Sequence, residues 1–244
     1  MKLRLDKLLL ERSLTTSRER AQALILAGKV LVNGQKVEKA GAGVDASADI
    51  RLLGEDLKYV SRGGLKLEAA LTHWQIDVAG KVCLDVGTST GGFTDCLLQR
   101  GALRVIAVDT GHGQIDFRLR QDSRVVVLEQ TNARFLTNEQ IPEPVDVIVC
   151  DASFISLSKV LEVPLKFAKP GARLVALVKP QFEAGRAEVG KGGVVRDPAV
   201  HERVCTEAKA WVESQGWSVP GIEQSPITGP EGNVEFLLGA VKNG

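Results

Sequence analysis

Apolar positions near the start of the chain follow a helical period. Leu3, Leu5, Leu8, Leu9 and Leu10 put one apolar side on a first helix, and "TTSRERAQALILAGKV" predicts a second. Thr16 is its expected N-cap, because Glu19 completes a T-x-x-E capping box, and Gly28 is its C′ stop. "VLVNGQKV" then alternates around Asn33-Gly34, the strongest short hairpin signal. Two short helices and a hairpin bury little area, so this front module is expected to lean on neighbouring structure. From Lys81 onward the period changes. "VCLDV", "RVIAVD", "VVVLE", "VDVIVCD" and "RLVALVK" read as short strands separated by helical stretches. They predict an α/β doubly wound parallel sheet with functional residues at the strands' C-terminal ends. The last segment, "WSVPGIEQSPITGPEGNVEFLLGAV", has no helix between its two strands and predicts a hairpin closing one sheet edge.

A length of 244 residues suits one such domain plus a small module, and 44% apolar content is ordinary for a globular chain. No apolar run approaches the roughly 18 residues of a membrane span. Charges fill every turn of "MKLRLDKLLLERSL", so a secretion signal is not expected either. Cys83, Cys96, Cys150 and Cys205 are far apart, with no C-x-x-C pair or histidine at ligand spacing. They read as reduced core residues of a cytoplasmic protein, and no metal is invoked. Net charge is +1, but its distribution is uneven: residues 1–43 carry nine Lys or Arg against four acids, hence +5, leaving −4 elsewhere. Such charges are usually a solvated helix face. Here Arg18 and Arg20 fall in a helix's first turn, where free amides also attract phosphate, and Lys29, Lys36 and Lys39 extend the same positive surface. No aromatic interleaves them, so contacts to phosphate are expected rather than stacking.

"LDVGTSTGGFTD", residues 84–95, admits two chemistries. As G-x-S-x-G it would be a nucleophile elbow around Ser89, which needs a downstream acid and histidine. Only His112 and His201 follow, one just after a strand and one inside a helical segment, and neither fits. As a glycine turn after a strand, every marker has a use. Asp85 ends the strand, Gly87, Gly91 and Gly92 permit a tight turn, and Asp109 ends the next strand where an acid can hold ribose hydroxyls. Neither G-x-G-x-x-G nor G-x-x-x-x-G-K-[ST] is present, so nothing demands a phosphate ligand. A glycine loop between acids suits a phosphate-free, cationic sulfonium: S-adenosylmethionine. Asn132, in "QTNARFL", is either a contact near its adenine or a simple cap.

Four charged residues specify further chemistry. Lys66 lies in "SRGGLKLEAAL", Asp151 ends "VDVIVCD", Lys179 ends "LVALVK", and Glu235 interrupts "NVEFLLGAV". One such residue would pass as a strand cap; four of them, mostly near strand ends, read as a site. "CDASF" lacks the prolines of the D/N-P-P-Y-like segment that amino-group methyltransferases use, and Phe154 is either a platform for a flipped base or a core contact. "FEAGRAEVGKGGVVRD", residues 182–197, combines glycines with Arg186, Lys191 and Arg196 and is expected to close over bound RNA.

"RLDKLLLERSLTTSRERAQALILAGKVLVNGQKVEKAG" resembles the S4-like RNA-binding module. The Lys66, Asp151, Lys179, Glu235 series resembles the K-D-K-E tetrad of FtsJ-type ribose 2′-O-methyltransferases. With "DVGTSTGGFTDCLLQRGA", "VSRGGLKL", "CDASFISL", "VKPQFEAGR" and "GKGGVVRD", the chain is similar nearly end to end to the TlyA (hemolysin A) family. That resemblance implies a Rossmann-like S-adenosylmethionine-dependent methyltransferase sheet with a small N-terminal α+β domain. It divides the chain into an S4-like domain over 1–57, a linker over 58–64 and a methyltransferase domain over 65–244. It implies transfer to cytidine ribose 2′-hydroxyls of ribosomal RNA or ribosomal subunits. Lys179 is then the base and Asp151 and Glu235 fix its direction, while Lys66 assists or anchors phosphate. The expected cofactor set is Asp85, Gly87, Ser89, Gly91, Gly92, Phe93, Asp109, Asn132 and Asp151. The expected RNA set is Arg4, Lys7, Arg18, Arg20, Lys29, Lys36, Arg62, Arg186 and Lys191. A membrane-lysing protein should show an apolar span or insertion helix, and the sequence shows neither.

Overall fold

The computed structural model describes residues 2–12, 14–15, 17–53, 58–229 and 231–244. The chain divides into two compact units, Met1–Leu57 and Lys58–Gly244.

The first unit begins with strand β1 (Lys2–Arg4), helix α1 (Leu5–Glu11) and helix α2 (Arg18–Leu26). Leu3, expected on the first helix, instead lies in β1. Arg4 is extended, at φ −65° and ψ 135°, and Leu3 pairs with Val44 of strand β4 (Gly43–Asp45). Thr16 lies outside the described residues; the observed N-cap is Ser17, whose hydroxyl accepts from the Arg20 amide at 3.1 Å. Gly28 does follow the helix in the left-handed region, at φ +65°. Strands β2 (Val30–Val32) and β3 (Gln35–Lys36) form the expected hairpin, with Asn33 and Gly34 both at positive φ, as a type I′ turn requires. Strand β5 (Ile50–Leu52) adds to β2, giving the order β3-β2-β5. Alternation over three residues is too short to announce β4 and β5. Leu5, Leu9 and Ile25 are fully buried in a cluster of the unit's own, each worth about 1.5–3 kcal/mol.

Beneath them sits a buried acid, Asp6, with no exposed surface. Arg4 donates to its two oxygens at 3.0 and 2.9 Å, Arg18 at 2.9 Å and Gln22 at 3.0 Å. These donors, Arg4 foremost, hold its carboxyl far below the usual carboxylate range.

The second unit opens with helix α3 (Gly63–His73), strand β6 (Val82–Val86), helix α4 (Gly92–Gln99) and strand β7 (Arg104–Val108). Helix α5 (Phe117–Gln121), strand β8 (Val125–Leu128), strand β9 (Val145–Cys150), helix α6 (Leu157–Leu161) and strand β10 (Ala168–Val178) follow. Helices α7 (Pro180–Glu183) and α8 (Pro198–Ser214) lead to strands β11 (Trp217–Gln224) and β12 (Phe236–Lys242). The seven strands run β11-β12-β10-β9-β6-β7-β8. All neighbours from β10 to β8 are parallel, and the β11–β12 hairpin is antiparallel and closes one edge, with β12 on β10.

Alternate residues of the central strands serve opposite layers, as a pleated strand buried on both faces requires. Leu84, Val86, Ile106 and Ile148 pack on one side; Cys83, Val105, Val147 and Val149 pack on the other, against α3 and α4. Cys83, Cys96 and Cys150 are buried and free, and burial pushes Cys83 and Cys150 up to about 12, so they behave as core residues. Tyr59, within the 58–64 stretch, is also buried against this second layer. Chain order reverses between β6 and β9: β7 and β8 continue to one side, β9 and β10 to the other. The C-terminal ends of β6 and β9 are therefore a topological switch point, where a crevice opens in folds of this kind. No described helix is long and apolar enough to cross a membrane.

Candidate active site

Strand register explains how three of the four charged residues, distant along the chain, come together. Val86 of β6 pairs with Cys150 of β9, Cys150 with Ala176 of β10, and Val178 of β10 with Phe236 of β12. The next residues along, Asp151, Lys179 and Glu235, thus share one end of the sheet. Lys66, in the first turn of α3, completes the group. Its ammonium lies 2.5 Å from Glu235 Oε2 and 3.9 Å from Asp151 Oδ2, and Lys179 Nζ lies 2.7 Å from Asp151 Oδ1. The four expected residues form one continuous chain: Glu235, Lys66, Asp151, Lys179. Both lysines and Glu235 are buried.

Lys179 is directed elsewhere than its nearest contact. Its N–H groups point at Ser153 Oγ, 3.0 Å away, and the Asp151 carbonyl, 3.3 Å away. The 2.7 Å approach to Asp151 Oδ1 is an ion pair without hydrogen-bond alignment, and that buried oxygen accepts no hydrogen bond among the described residues.

Two cavities meet here. The first, about 540 Å³, is lined by Arg62, Phe93 and all four of the charged residues. The second, about 520 Å³, is lined by Asp109, Gly111, Gln114, Asn132 and Ile155 among others. Gly87, Ser89, Asp151, Ser153 and Phe154 belong to both. Both volumes lie in the range of small-molecule sites.

The glycine loop forms their shared wall. Gly87 has φ +82°, and a Cβ there would come 2.9 Å from Ala152 Cα, so only glycine lets the loop pass beside the β9 end. Asp109 braces the loop, accepting from the Ser89 amide and the Gly111 amide, each at 2.7 Å. Asn132 both lines the second cavity and accepts from the Arg134 amide as a cap. Ser89 has no histidine partner: His112 contacts Glu129 and His201 contacts the Val195 carbonyl. The nucleophile-elbow reading therefore fails on geometry.

Two expected cofactor contacts are placed elsewhere. Asp85 is fully buried on the α4 face of β6, accepts from Thr94 Oγ1 at 2.6 Å and lines neither cavity; burial pushes its carboxyl up to about 7. Alternation along β6 dictates this, since Asp85 faces the layer opposite to Leu84 and Val86. Gly91 caps α4, and a Cβ on it would strike Leu119. Gly92 and Phe93 do line the first cavity.

Of the RNA-facing set, Lys7, Lys29, Lys36, Arg62, Arg186 and Lys191 are exposed. Arg4 and Arg18 have the internal task of pairing Asp6, though each side chain stays 49% and 43% exposed. Phe154 is not a core residue: it is 90% exposed at φ +65°, with its ring 5.1 Å from that of Phe182. Ser153 and Asn233 were not singled out from sequence. Ser153 carried a signal, standing two residues after Asp151 at a strand end; Asn233 carried none.

The second cavity tests the ligand. It has Asp109 and Asp151 in its wall and no Lys or Arg among the described lining residues, so it disfavours phosphate and suits a phosphate-free nucleoside bearing positive charge.

A doubly wound sheet ending in this tetrad beside a glycine-walled crevice defines a class. The chain belongs to the FtsJ-like methyltransferase family, whose model matches residues 59–242, and the S4 domain model matches residues 3–50. It is 48% identical over 236 residues to 16S/23S rRNA (cytidine-2′-O)-methyltransferase TlyA of Mycobacterium tuberculosis, covering 96% of this chain and 88% of that protein. A solved structure from Streptococcus thermophilus, provisionally described as a hemolysin, superposes with a TM-score of 0.77 at 43% identity, covering 99% of this chain and 89% of its own. An O-methyltransferase from Bacillus cereus in complex with SAH shares the fold, with a TM-score of 0.51 at 24% identity over 77% of this chain and 84% of its own.

Proposed function

We propose that this chain transfers a methyl group from S-adenosylmethionine to a cytidine ribose 2′-hydroxyl of ribosomal RNA. The observation that carries the reading is the Glu235, Lys66, Asp151, Lys179 chain at the junction of two cavities, one of them with no Lys or Arg among its described lining residues. Kinship to the TlyA methyltransferase over nearly the whole chain supports the substrate class.

The residues fit the cofactor. Asp109, Asn132, Gly87 and Ser89 would hold its nucleoside part, and Asp151 stands where the two cavities join. When bound, S-adenosylmethionine supplies an electrophilic methyl carbon on a cationic sulfur. This chain's own groups do the rest. To act as the base, Lys179 must first release one proton from its ion pair; the amine then has two N–H bonds and one lone pair, and donating to Ser153 Oγ and the Asp151 carbonyl leaves the lone pair to accept the hydroxyl proton. Were the ribose oxygen to take up that methyl group, leaving a neutral thioether behind, its proton would come to rest on Lys179 Nζ. Asp151 Oδ1, at 2.7 Å, stabilises the ammonium so formed, and Lys66 with Glu235 holds Asp151 from behind. Exposed Phe154 stacks on the target base after it leaves its helix.

The Met1–Leu57 unit docks RNA through its positive surface, and the 182–197 loop touches phosphate with Arg186 and Lys191. A ribosomal substrate puts the protein in the cytoplasm. The test is to incubate the protein with labelled S-adenosylmethionine and separated, unmethylated ribosomal subunits, then map alkali-resistant ribose linkages. Incorporation at a cytidine 2′-oxygen is expected. No incorporation by folded protein into either subunit would overturn the reading.

A further inference from the structure

Asn233 takes no part in the chemistry above, yet its side chain is bound as firmly as any in the site. It is 2% exposed. Its Oδ1 accepts from the Val195 amide at 3.0 Å and its Nδ2 donates to the Gly193 carbonyl at 3.0 Å, so one amide clasps a loop some 40 residues earlier in the chain. Its own backbone carbonyl accepts from the Gly229 amide at 2.9 Å. Gly229 in turn abuts the tetrad: a Cβ there would stand 2.7 Å from Glu235 Oε1.

The clasped loop is already a tight turn. The Gly190 amide donates to the Val194 carbonyl at 3.0 Å and the Gly193 amide to the Gly190 carbonyl at 3.1 Å. Val195, where it ends, is held from both sides, since its carbonyl lies 3.0 Å from His201 Nε2. The His201 ring meets the Phe236 ring edge-on at 5.5 Å, one residue past Glu235. The circuit therefore closes: Asn233, Val195, His201, Phe236, and back through Glu235. Gly193 and Asn233 both line the first cavity.

We infer that Asn233 is a positioning residue that locks the glycine turn at 190–195 to the segment carrying Glu235, fixing the basic loop and the tetrad in one frame. A surface loop held only by its own turn would move independently of the sheet. Here, displacement of the turn must break one buried and one part-buried hydrogen bond or drag the residue two positions before Glu235. Asn suits the task because one short side chain offers both an acceptor and a donor. The inference rests on the proposed methyl transfer for its kinetic readout but not for its structural one.

The experiment compares wild type with Asn233→Ala. Hydrogen exchange should show the Val195 amide losing protection in the variant, while the amides of β6 and β7 keep theirs. Transfer to ribosomal subunits should fall about 100-fold in kcat, the scale of an ångström-level misplacement. S-adenosylmethionine affinity should change less than threefold, because the second cavity does not include Asn233. A merely structural residue would lower thermal stability without splitting kcat from cofactor binding. Gly193→Ala, which strains a φ of +76° where a Cβ meets nothing within 4 Å, loosens the same clasp without disturbing the core. It should reproduce the exchange and kcat effects in part, and it decides the matter if Asn233→Ala does not fold. Unchanged Val195 protection, or unchanged kcat in a variant whose loop is freed, overturns the inference. Inactive wild type with a freed variant loop counts instead against the methyl-transfer reading.

Discussion

Removing Lys66 separates the catalytic from the structural meaning of the tetrad. Lys66 and Glu235 are 7% and 2% exposed, and Lys66 is the partner in the one ion pair that Glu235 makes among the described residues. Lys66→Met keeps most of the side-chain volume but leaves a buried carboxylate alone, which costs about 3–5 kcal/mol. For a unit of this size that amounts to a melting point lower by about 6–20 °C. Converting the partner as well, in Lys66→Met with Glu235→Leu, removes both charges together and should return most of the stability, since apolar replacement of a buried pair is close to neutral. Methyl transfer should be lost in both variants, because neither can hold Asp151. Calorimetry across the double-mutant cycle, with isothermal titration of S-adenosylmethionine and a transfer assay, reads all three quantities. A single variant destabilised by less than about 1 kcal/mol, or a double variant no more stable than the single, would show the pair is not buried and coupled as the 2.5 Å contact requires. Wild-type transfer by the double variant would show the tetrad idle.

Three further outcomes are expected. Asp85 titrates near pH 7 when folded and near its ordinary 3.8 when unfolded. The unfolded chain thus releases a proton the folded chain keeps, and stability falls as pH rises between those values and is level above them. Between pH 5 and 8 this loss is about 3 kcal/mol, and Asp85→Asn should flatten it in urea titrations; parallel wild-type and variant profiles would dismiss it. Asp6 shifts the other way, so its contribution is present above pH 3.8 and lost as pH falls toward its lowered folded value. Asp6→Asn should cost the first unit about 2 kcal/mol at neutral pH, read as faster hydrogen exchange in α1, and equal exchange at pH 7 would contradict the Arg4 and Arg18 pairing. Arg186→Ala with Lys191→Ala should weaken RNA binding and lower the salt slope by about 2; unchanged affinity at low and moderate salt would discard the loop's phosphate contact.

Much of the fold was legible because strand periodicity is a property of the residues themselves. "VCLDV" and its four successors are apolar runs, fully buried in β6 and half-buried to exposed at the edge strand β8, and the structure makes β6 to β10 of them with boundaries moved by a few residues. The front module was harder. Leu3 fits a helical stripe as well as a strand, and what decided for β1 was pairing with Gly43–Asp45, a contact that no local pattern displays. Thr16 and Ser17 offer equally good capping hydroxyls, so a capping-box motif pointed one residue away from the observed cap.

The site divides along the same line. Charged residues at the ends of apolar segments stand out, because burying a charge is costly unless a partner awaits, and Asp151, Lys179 and Glu235 at strand ends, with Lys66 on α3, proved to be each other's partners. Position at a strand end was a weaker guide for Asp85: the pleat, not the chain order, chose its face, and put it under α4 instead of in the crevice. Asn233 was invisible for a different reason. A polar residue in "GPEGNVEF" looks like turn composition, and its value lies in two backbone groups around 40 residues earlier, whose arrival depends on β12 docking on β10. Charge announces a site because its solvation penalty is local to the residue. A neutral amide earns its place only through the groups that tertiary structure brings to it, so positioning residues of this kind emerge from the assembled sheet alone.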